Sequence, residues 1–168
     1  MTAASETNAT GPAVTTPQAR GRLVFDPNWC RTCKVCEMSC SIAKEGKSQP
    51  ALARMNVFFD EFKEEDPVTA MICFQCEDAP CMEACPENAM TRDARTGAVV
   101  IDETKCTGCM RCRRACPWDV PKLNREKRVA VKCDLCYDRE DGPVCVNACP
   151  LKGKALRYEP DYYLAKDS

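Results

Sequence analysis

The sequence contains no histidine among its 168 residues. This absence excludes Rieske-type sites, His-ligated haem, mixed cysteine–histidine zinc sites and the commonest general base in enzymes. The dinucleotide-binding pattern GxGxxG and the phosphate-binding pattern GxxxxGK[ST] are absent as well. No motif therefore predicts a flavin, nicotinamide or nucleoside triphosphate site. We expect any substrate chemistry to take place on another protein.

Long apolar runs and export signals are also missing. No stretch of about 18 apolar residues occurs, so no transmembrane helix is predicted. Residues 1–20 are rich in Ala, Thr, Ser, Asn and Pro, and lack both an apolar segment and an opening twin-arginine pair. Their composition predicts a disordered tail. Residues 21–168 are expected to form the folded part of a cytoplasmic protein.

Cysteine is abundant, with 16 residues in the chain. Such a density indicates disulfides, zinc sites or iron–sulfur clusters. Disulfides are disfavoured because thiols stay reduced in the cytoplasm. All sixteen cysteines fall into four quartets, with none left over. In chain order the quartets are Cys30, Cys33, Cys36 and Cys40; Cys73, Cys76, Cys81 and Cys85; Cys106, Cys109, Cys112 and Cys116; and Cys133, Cys136, Cys145 and Cys149.

The spacing within the quartets is typical of [4Fe–4S] clusters. The third quartet matches the run C-x₂-C-x₂-C-x₃-C-P in full, whereas the first has Ser41 in place of the proline. In such runs three thiolates bind one cluster and the fourth binds the other cluster of a pair. The second and fourth quartets have longer loops before their third cysteine, which removes no ligand. Four quartets therefore predict four [4Fe–4S] clusters.

A zinc-stabilised interaction module is the alternative from another class of protein, since paired CxxC motifs also form Cys₄ zinc sites. Zinc ribbons need two well-separated CxxC pairs. They do not need a third cysteine three residues on and a fourth before proline, so the repeated quartets favour iron–sulfur clusters.

Short runs rich in β-branched residues precede the quartets and predict strands. Residues 23–26 and 99–102 each end in an aspartate that stands four positions before the first cysteine. Residues 68–72 and 129–131 lead almost directly into their quartets. Residues 89–100 read as a hairpin with a glycine-containing turn. The repeated order of strand, cluster loop, short helix and strand indicates an α+β, ferredoxin-like fold.

Two segments without cysteines are expected to pack on this fold. Residues 41–67 form a long connection that is acidic at residues 60–66. Residues 156–164 are expected to form a packed C-terminal strand or strap. The apolar part of the long connection is expected to be a strand or helix packed on the core, and comprises Val57, Phe58, Phe59 and Phe62.

The pairing of quartets follows from the hairpin between the second and the third. A two-cluster ferredoxin has such a hairpin between its runs, so these quartets are expected to exchange their fourth cysteines. The first and fourth quartets then pair with each other. Pairing the first with the second and the third with the fourth is the alternative that spacing leaves open. The crossed pairing predicts two pseudo-symmetric two-cluster modules, one at residues 67–121 and one split between residues 21–66 and 122–168.

Four quartets in this order, with enlarged gaps in the second and fourth and the sequence KCDLC at residues 132–136, resemble the ferredoxin subunits of molybdenum and tungsten oxidoreductases. Relatives in that family serve formate dehydrogenases, dimethyl sulfoxide and nitrate reductases, hydrogenases and carbon monoxide dehydrogenase. The resemblance covers residues 22–157. The first run, residues 33–41, with residues 44–46 and 50–54, is similar to the small iron–sulfur subunit of bacterial tungsten-dependent aldehyde oxidoreductases.

The resemblance implies an electron-transfer subunit without catalytic residues, bound to a large tungsten- or molybdenum-pterin subunit and to a flavin- or NAD-binding subunit. A free-standing polyferredoxin, an electron subunit of one of the other enzymes above and an assembly accessory protein are the alternatives. The implied ligand sets are Cys30, Cys33, Cys36 and Cys149; Cys73, Cys76, Cys81 and Cys116; Cys106, Cys109, Cys112 and Cys85; and Cys133, Cys136, Cys145 and Cys40.

Charge is unevenly distributed, although the formal net charge is only −1. Residues 105–132 contain nine Lys or Arg, and residues 60–66 contain five acids. A solvated surface is the simpler interpretation of both. The sharper one is a pair of complementary docking patches through which copies associate head to tail. Nucleic-acid binding is not expected, because the whole chain is slightly acidic and the basic run contains cysteine ligands.

Overall fold

Short strands and helices alternate along the chain in the computed structural model, which describes residues 17–166. The strands are β1 (Arg22–Phe25), β2 (Asn56–Phe59), β3 (Val68–Met71), β4 (Met90–Arg92), β5 (Val99–Ile101), β6 (Lys122–Asn124), β7 (Val129–Val131) and β8 (Leu156–Glu159). The α-helices are α1 (Val35–Glu45), α2 (Pro80–Glu83), α3 (Arg111–Ala115) and α4 (Val144–Ala148). Short 3₁₀ helices cover Pro27–Trp29, Pro50–Leu52 and Leu164–Lys166.

The strands pair in four antiparallel ribbons of two strands each: β1 with β8, β2 with β3, β4 with β5 and β6 with β7. The first ribbon joins the two ends of the described chain, with Arg22 opposite Glu159 and Phe25 opposite Leu156. The third is the predicted hairpin, which is confirmed, with Met90 opposite Ile101. An isolated two-stranded ribbon is marginally stable in water, so these ribbons depend on what packs against them.

The predicted strands before the quartets are confirmed as β1, β3, β5 and β7. Asp26 and Asp102 have the same local role after β1 and β5. The Asp26 carboxylate accepts the backbone N–H of Asn28 at 3.0 Å, and the Asp102 carboxylate accepts that of Thr104 at 2.9 Å. Aspartate turns of this kind end a strand and redirect the chain. They therefore steer the backbone into the first and third cysteine loops.

Each helix lies just before or around the last two cysteines of a quartet. The helix α1 contains both Cys36 and Cys40, whereas Cys112 lies in α3 and Cys116 caps its end. A separation of four residues places both side chains on one face of a helix. The helices pack in two pairs, α1 with α4 and α2 with α3. A helix can therefore present its two cysteines to two different sites.

The apolar interior divides into two cores. Leu23, Met55 and Leu156 belong to the first, and Met90 and Val99 to the second. The strands β2 and β3 pair with each other across the boundary predicted after residue 66, and both contribute to the first core. Ala130 in β7 packs in the second core. The strands β2, β3 and β7 therefore do not follow the predicted module borders, because each packs on a core that combines residues of both predicted modules.

The prediction that residues 57–62 pack on the core is confirmed for Val57 and wrong for the three phenylalanines. Val57 is 2% exposed, whereas Phe58, Phe59 and Phe62 are 48%, 60% and 88% exposed. The sheet of β2 and β3 covers the core with one face only, so Phe58 points outward. Phe59 is the last residue of β2, and the backbone N–H of the next residue, Asp60, donates to the carbonyl of Pro67. Phe62 lies in the acidic loop that follows this strand.

The segments next to the chain ends pack onto the fold. Residues 1–16 of the predicted tail lie outside the described residues, whereas Ala19 is buried and Arg20 pairs with Asp161 at 3.0 Å. The expected C-terminal strand is confirmed as β8. The Tyr163 hydroxyl donates to the carbonyl of Phe74 at 2.6 Å. No helix in the described part of the chain is long and apolar enough to cross a membrane.

Candidate metal centres

All sixteen cysteines lie in the described part of the chain, and none forms a disulfide. The structure gathers twelve of them around three cavities, each of which mixes two quartets. We number these groups as sets. Set 1 lines a cavity of about 260 Å³ and comprises Cys30, Cys33, Cys36 and Cys149. Set 2 comprises Cys73, Cys76, Cys81 and Cys116. Set 3 comprises Cys106, Cys109, Cys112 and Cys85.

The remaining four cysteines, Cys133, Cys136, Cys145 and Cys40, form set 4 and are all buried. Burial raises the pKa of Cys145 well above its usual value, and the neighbouring thiolates of Cys133, Cys40 and Cys136 raise it further. Burial likewise raises the pKa of Cys40, with Cys136 adding to the effect. Such mutual effects require short distances. Cys36 of set 1 also acts on Cys145, so these effects show that the buried cysteines are neighbours, and their grouping as set 4 follows because the other three sets are complete without them.

The three cavities group twelve cysteines as the crossed pairing predicts, and the pairing of ligands itself stays a prediction. Helix packing explains the crossing. Because α1 packs on α4, Cys40 reaches the fourth quartet, and Cys149 reaches the first. The role of all sixteen cysteines as iron ligands stays a prediction.

The four cysteine loops share one backbone feature. The residue two positions after the first cysteine has a left-handed conformation in every quartet, with φ of 52°, 54°, 69° and 57° at Thr32, Gln75, Gly108 and Leu135. At Gly108 a Cβ atom would lie 2.2 Å from the carbonyl oxygen of Arg128, so only glycine fits. Left-handed turns of this kind direct successive N–H groups into a concavity that binds anions, iron–sulfur clusters among them.

Backbone N–H groups already donate to four cysteine sulfurs. The acceptors are distributed over three sets: Cys30 accepts from Thr32 at 3.4 Å and Cys40 from Arg54 at 3.3 Å. Cys85 and Cys106 of set 3 accept from Ala89 at 3.4 Å and Ala130 at 3.3 Å. Hydrogen bonds to sulfur favour the thiolate and tune a bound cluster. The loops are therefore arranged for anionic sulfur.

The residues present fit a [4Fe–4S] cluster at each set. Four thiols with no competing nitrogen ligand converge on each site, and thiolates are the usual ligands of such clusters. A single zinc ion holds its sulfur ligands at about 2.3 Å. Among residues 17–166, no three potential ligand side chains are grouped closely enough for one metal ion. A cluster bound at such a site would supply one-electron redox chemistry.

Sets 1 and 3 reach the protein surface, whereas set 4 is buried and set 2 is partly buried. Cys33 of set 1 and Cys109 of set 3 are the two exposed cysteines of the sixteen. Helix α1 links set 1 to set 4, since it contains Cys36 and Cys40. Likewise Cys81 of set 2 lies in α2, and Cys85 of set 3 follows that helix. Lys132, which precedes Cys133 of set 4, contacts Cys73 of set 2, so the spatial order of the sets is 1, 4, 2, 3.

A buried ion network fastens α1 to the loop of set 4. The Asp134 carboxylate accepts Lys44 at 2.9 Å, Arg54 at 2.8 Å and the backbone N–H of Cys136 at 3.0 Å. Glu45, next to Lys44 on the helix, pairs with Lys127 at 2.9 Å. Removing one partner from a buried pair leaves an uncompensated charge. The network therefore holds Cys40 in register with the fourth quartet.

Two buried polar side chains, Glu37 and Gln75, had no predicted role, and a third, Lys132, was wrongly counted with the basic surface run at residues 105–132. The Glu37 carboxylate accepts the backbone N–H of Val57 at 2.6 Å and so joins α1 to β2. Gln75 and Lys132 lie between sets 2 and 4. Their one signal in the sequence is that each adjoins a ligand cysteine, which says nothing about the direction in which the side chain points.

The 4Fe–4S dicluster domain family matches residues 66–158. The chain is 41% identical over 157 residues to the polyferredoxin-like subunit of the aliphatic sulfonate oxidoreductase of Pyrococcus furiosus, covering 89% of this chain and 87% of the relative. It is 35% identical over 149 residues to the B subunit of the anaerobic dimethyl sulfoxide reductase of Escherichia coli, covering 81% and 71%. It is also 34% identical over 146 residues to the electron transport protein HydN of Escherichia coli, covering 76% and 82%.

Proposed function

The chain belongs to the 4Fe–4S dicluster family, and we propose that it is a non-catalytic subunit that relays single electrons through four [4Fe–4S] clusters, one at each set. The observation that carries this proposal is the order of the sets, with one exposed cysteine in each end set and none in the two sets between them. A relay needs sites near the surface for exchange with partners. It also needs interior sites that connect them.

The residues of the chain divide the work of this relay. The sixteen cysteines hold the clusters, and the clusters supply the one-electron chemistry. Left-handed turns and N–H donors favour anionic sulfur. Burial of set 4 limits contact with water, which is one of the means by which a protein sets a cluster's potential. With clusters bound, the four sets would offer an electron that arrives at set 1 or set 3 a path through sets 4 and 2 to the opposite end.

Protein purified without oxygen is expected to contain about 16 iron and about 16 inorganic sulfide per chain, because sixteen thiolates suffice for four cubanes. Metal analysis and sulfide determination measure both, and the preparation should be brown. Iron near 12 per chain would mean that one set holds something else. Stoichiometric zinc with no sulfide would refute the cluster assignment and favour the zinc module.

For the partner, we propose a large tungsten- or molybdenum-pterin catalytic subunit, as in an aldehyde oxidoreductase, and a second subunit that binds flavin or NAD. Two relatives are named as subunits of oxidoreductases, which supports a catalytic partner. The absence of nucleotide motifs in this chain motivates the second subunit. Because HydN is named only as an electron transport protein, a free-standing polyferredoxin is the second candidate.

Native protein with an affinity tag is expected to co-purify with these two subunits, and the complex should oxidise an aldehyde with a viologen dye as acceptor. The separated chain should have no such activity, because it lacks catalytic residues. Mass spectrometry of the subunits and metal analysis for tungsten and molybdenum identify the partner. Aldehyde oxidation by the separated chain would contradict the carrier role. Recovery of the chain alone under all mild conditions would favour the free-standing polyferredoxin.

Head-to-tail association of copies is a further part of the partner proposal. The acidic residues 60–66 are exposed and continue from β2, whose Phe58 ring lies 5.9 Å from Lys34 beside Cys33. Arg111 and Arg114 are exposed on α3 near Cys109. An acidic loop near set 1 and basic side chains near set 3 favour a contact between the end of one copy and the start of the next. Mass photometry of the native complex should show a ladder of masses spaced by one chain, and this ladder should have fewer steps when salt is added. One fixed stoichiometry at every salt concentration would exclude stacking.

A further inference from the structure

Lys132 is a buried cation that forms no ion pair with an Asp or Glu side chain of the described residues. Its residue is 3% exposed, and it takes part in none of the ion pairs with carboxylates among residues 17–166. Its Nζ donates to the carbonyl oxygens of Val99 at 2.5 Å and Cys133 at 3.0 Å. Carbonyl groups solvate an ammonium but do not neutralise it, and an unpaired buried charge is costly. A nearby negative charge is therefore expected.

The thiolates of set 2 provide this negative charge. The Nζ of Lys132 lies 3.7 Å from the Sγ of Cys73, and the side chain lines the cavity of set 2. The charge also acts on a second cysteine of the set: burial raises the pKa of Cys81 to about 11, and Lys132 counteracts that rise. The ammonium thus faces set 2, although its backbone precedes the first cysteine of set 4.

Gln75 fixes the position of the ammonium. Gln75 is 1% exposed, and its Nε2 donates to the carbonyl of Cys133 at 2.8 Å while its Oε1 accepts the backbone N–H of Val99 at 3.0 Å. Lys132 donates to the carbonyls of the same two residues. Both side chains therefore bridge the loop of set 2, the strand β5 and the loop of set 4. This double bridge leaves Lys132 little freedom to turn away from the cluster site.

Among the hydrogen bonds of residues 17–166, Lys132 is the one cation whose side chain donates to a cysteine sulfur. Cations near the other sets are exposed, pair with carboxylates or, like Lys122 near Cys40 of set 4, donate to other oxygens. Lys44 lies near Cys136 of set 4, but it is paired with Asp134 and Asp138. In set 1, Glu37 adds negative charge beside Cys36 and contributes, after burial, to a raised pKa of that thiol. Set 2 has a second cation in Arg92, whose guanidinium donates to the carbonyls of Cys76 and Glu77.

We propose that Lys132 is a positioning residue that raises the reduction potential of the cluster at set 2 above that of its neighbour at set 4, so that this interior cluster holds the electron within the relay. The inference rests on the proposed four-cluster function. When one electron moves from set 4 to set 2, the first cluster is oxidised by one electron and the second is reduced by one. The added negative charge at set 2 is stabilised by the adjacent ammonium in a poorly polarisable interior, and no proton needs to move.

The test is an EPR-monitored redox titration of the holoprotein in the variants Lys132→Met and Lys132→Gln. Methionine keeps the unbranched stem, and glutamine keeps a donor for the carbonyls; both remove the charge. We expect the equilibrium constant for one-electron reduction of the set 2 cluster to fall at least tenfold, which corresponds to a reduction potential lower by 59 mV. The signals of sets 1 and 3 should shift much less. Cys116→Ala, which removes a ligand of set 2, assigns the signal.

Lys122→Met is the matched control, because Lys122 is also partly buried but faces Cys40 and donates to the carbonyl of Ala51. It should leave the set 2 signal in place. Shifts below threefold in both Lys132 variants at full iron content would overturn the proposal, as would an equal shift at every cluster. Iron analysis separates these outcomes from failure of the function itself, since a chain without clusters would give no signals to titrate.

Discussion

Replacing Cys40 with alanine is expected to destroy the cluster that uses Cys133, Cys136 and Cys145, which lie in a distant part of the chain. Iron should fall from about 16 to about 12 per chain, because one cubane loses a ligand. The cluster of Cys40's own quartet should survive. All four cysteines of set 4 are buried, so no solvent molecule or surface side chain easily replaces the lost thiolate.

The physical basis of this expectation is the packing of α1. Its two cysteines, Cys36 and Cys40, serve sets 1 and 4, and the far end of the helix is fastened to the set 4 loop by Lys44 and Asp134. The alanine variant keeps this ion pair, so the helix should remain in place. The loss is thus confined to the ligand and does not arise from a displaced helix.

Single-cluster EPR signals and iron content measure the outcome, with Cys149→Ala as the mirror variant that should remove the cluster of set 1. Ser39→Ala is the matched control. Ser39 precedes Cys40 on the same helix, and its hydroxyl donates to the carbonyl of Cys36 at 3.1 Å. It should keep about 16 iron. If Cys40→Ala instead removed the signal of Cys30, Cys33 and Cys36, each quartet would hold its own cluster and the crossed pairing would be wrong.

Removal of the iron is expected to unfold most of the chain, with loss of most of its far-ultraviolet circular dichroism. Ligand cysteines form part of both cores, Cys133 and Cys145 in the first and Cys81 and Cys112 in the second. The strands have three or four residues each. Three of the four α-helices in the described residues have four or five. Elements this short are not stable alone, so metal binding provides much of the folding free energy.

Charge repulsion is not the cause of this unfolding. Burial raises the pKa of Cys145 well above its usual value, and burial raises that of Cys36 to about 11. Thiols with raised pKa values stay protonated and neutral at pH 7 when the iron is gone. What disappears is the set of iron–sulfur bonds that join distant segments. The apoprotein is therefore expected to expand at neutral pH and to refold only when clusters are rebuilt.

Circular dichroism and hydrogen exchange, before and after anaerobic oxidation in the presence of a chelator, follow the loss of structure. The chelator without oxidant is the control, because intact clusters should resist it and the spectrum should not change. Rebuilding the clusters with iron and sulfide should restore the signal. A cooperative thermal transition in protein with less than about one iron per chain would show that the polypeptide folds without its clusters.

Local sequence patterns account for much of the fold and of the candidate site. The hairpin of β4 and β5 and the strands before the quartets were predictable, because they depend on residues adjacent in the chain. The choice of cluster over zinc followed from spacing alone. The register in which β1 pairs was not predictable. Its partner is β8, and Arg22 lies opposite Glu159, a residue near the other end of the described chain. Which distant segments meet is decided by packing that no local window contains.

The sequence by itself determined the prediction of ligand type and number, since sixteen cysteines without histidine leave sulfur as the donor and four quartets predict four sites. Only the tertiary structure decided the surroundings of those sites. It exposes Cys33 and Cys109 and buries set 4, leaves Phe62 in solvent, and turns Lys132 toward Cys73, 59 positions earlier in the chain. Exposure and the direction of a charge are properties of the packed interior, because both depend on contacts between segments far apart in sequence.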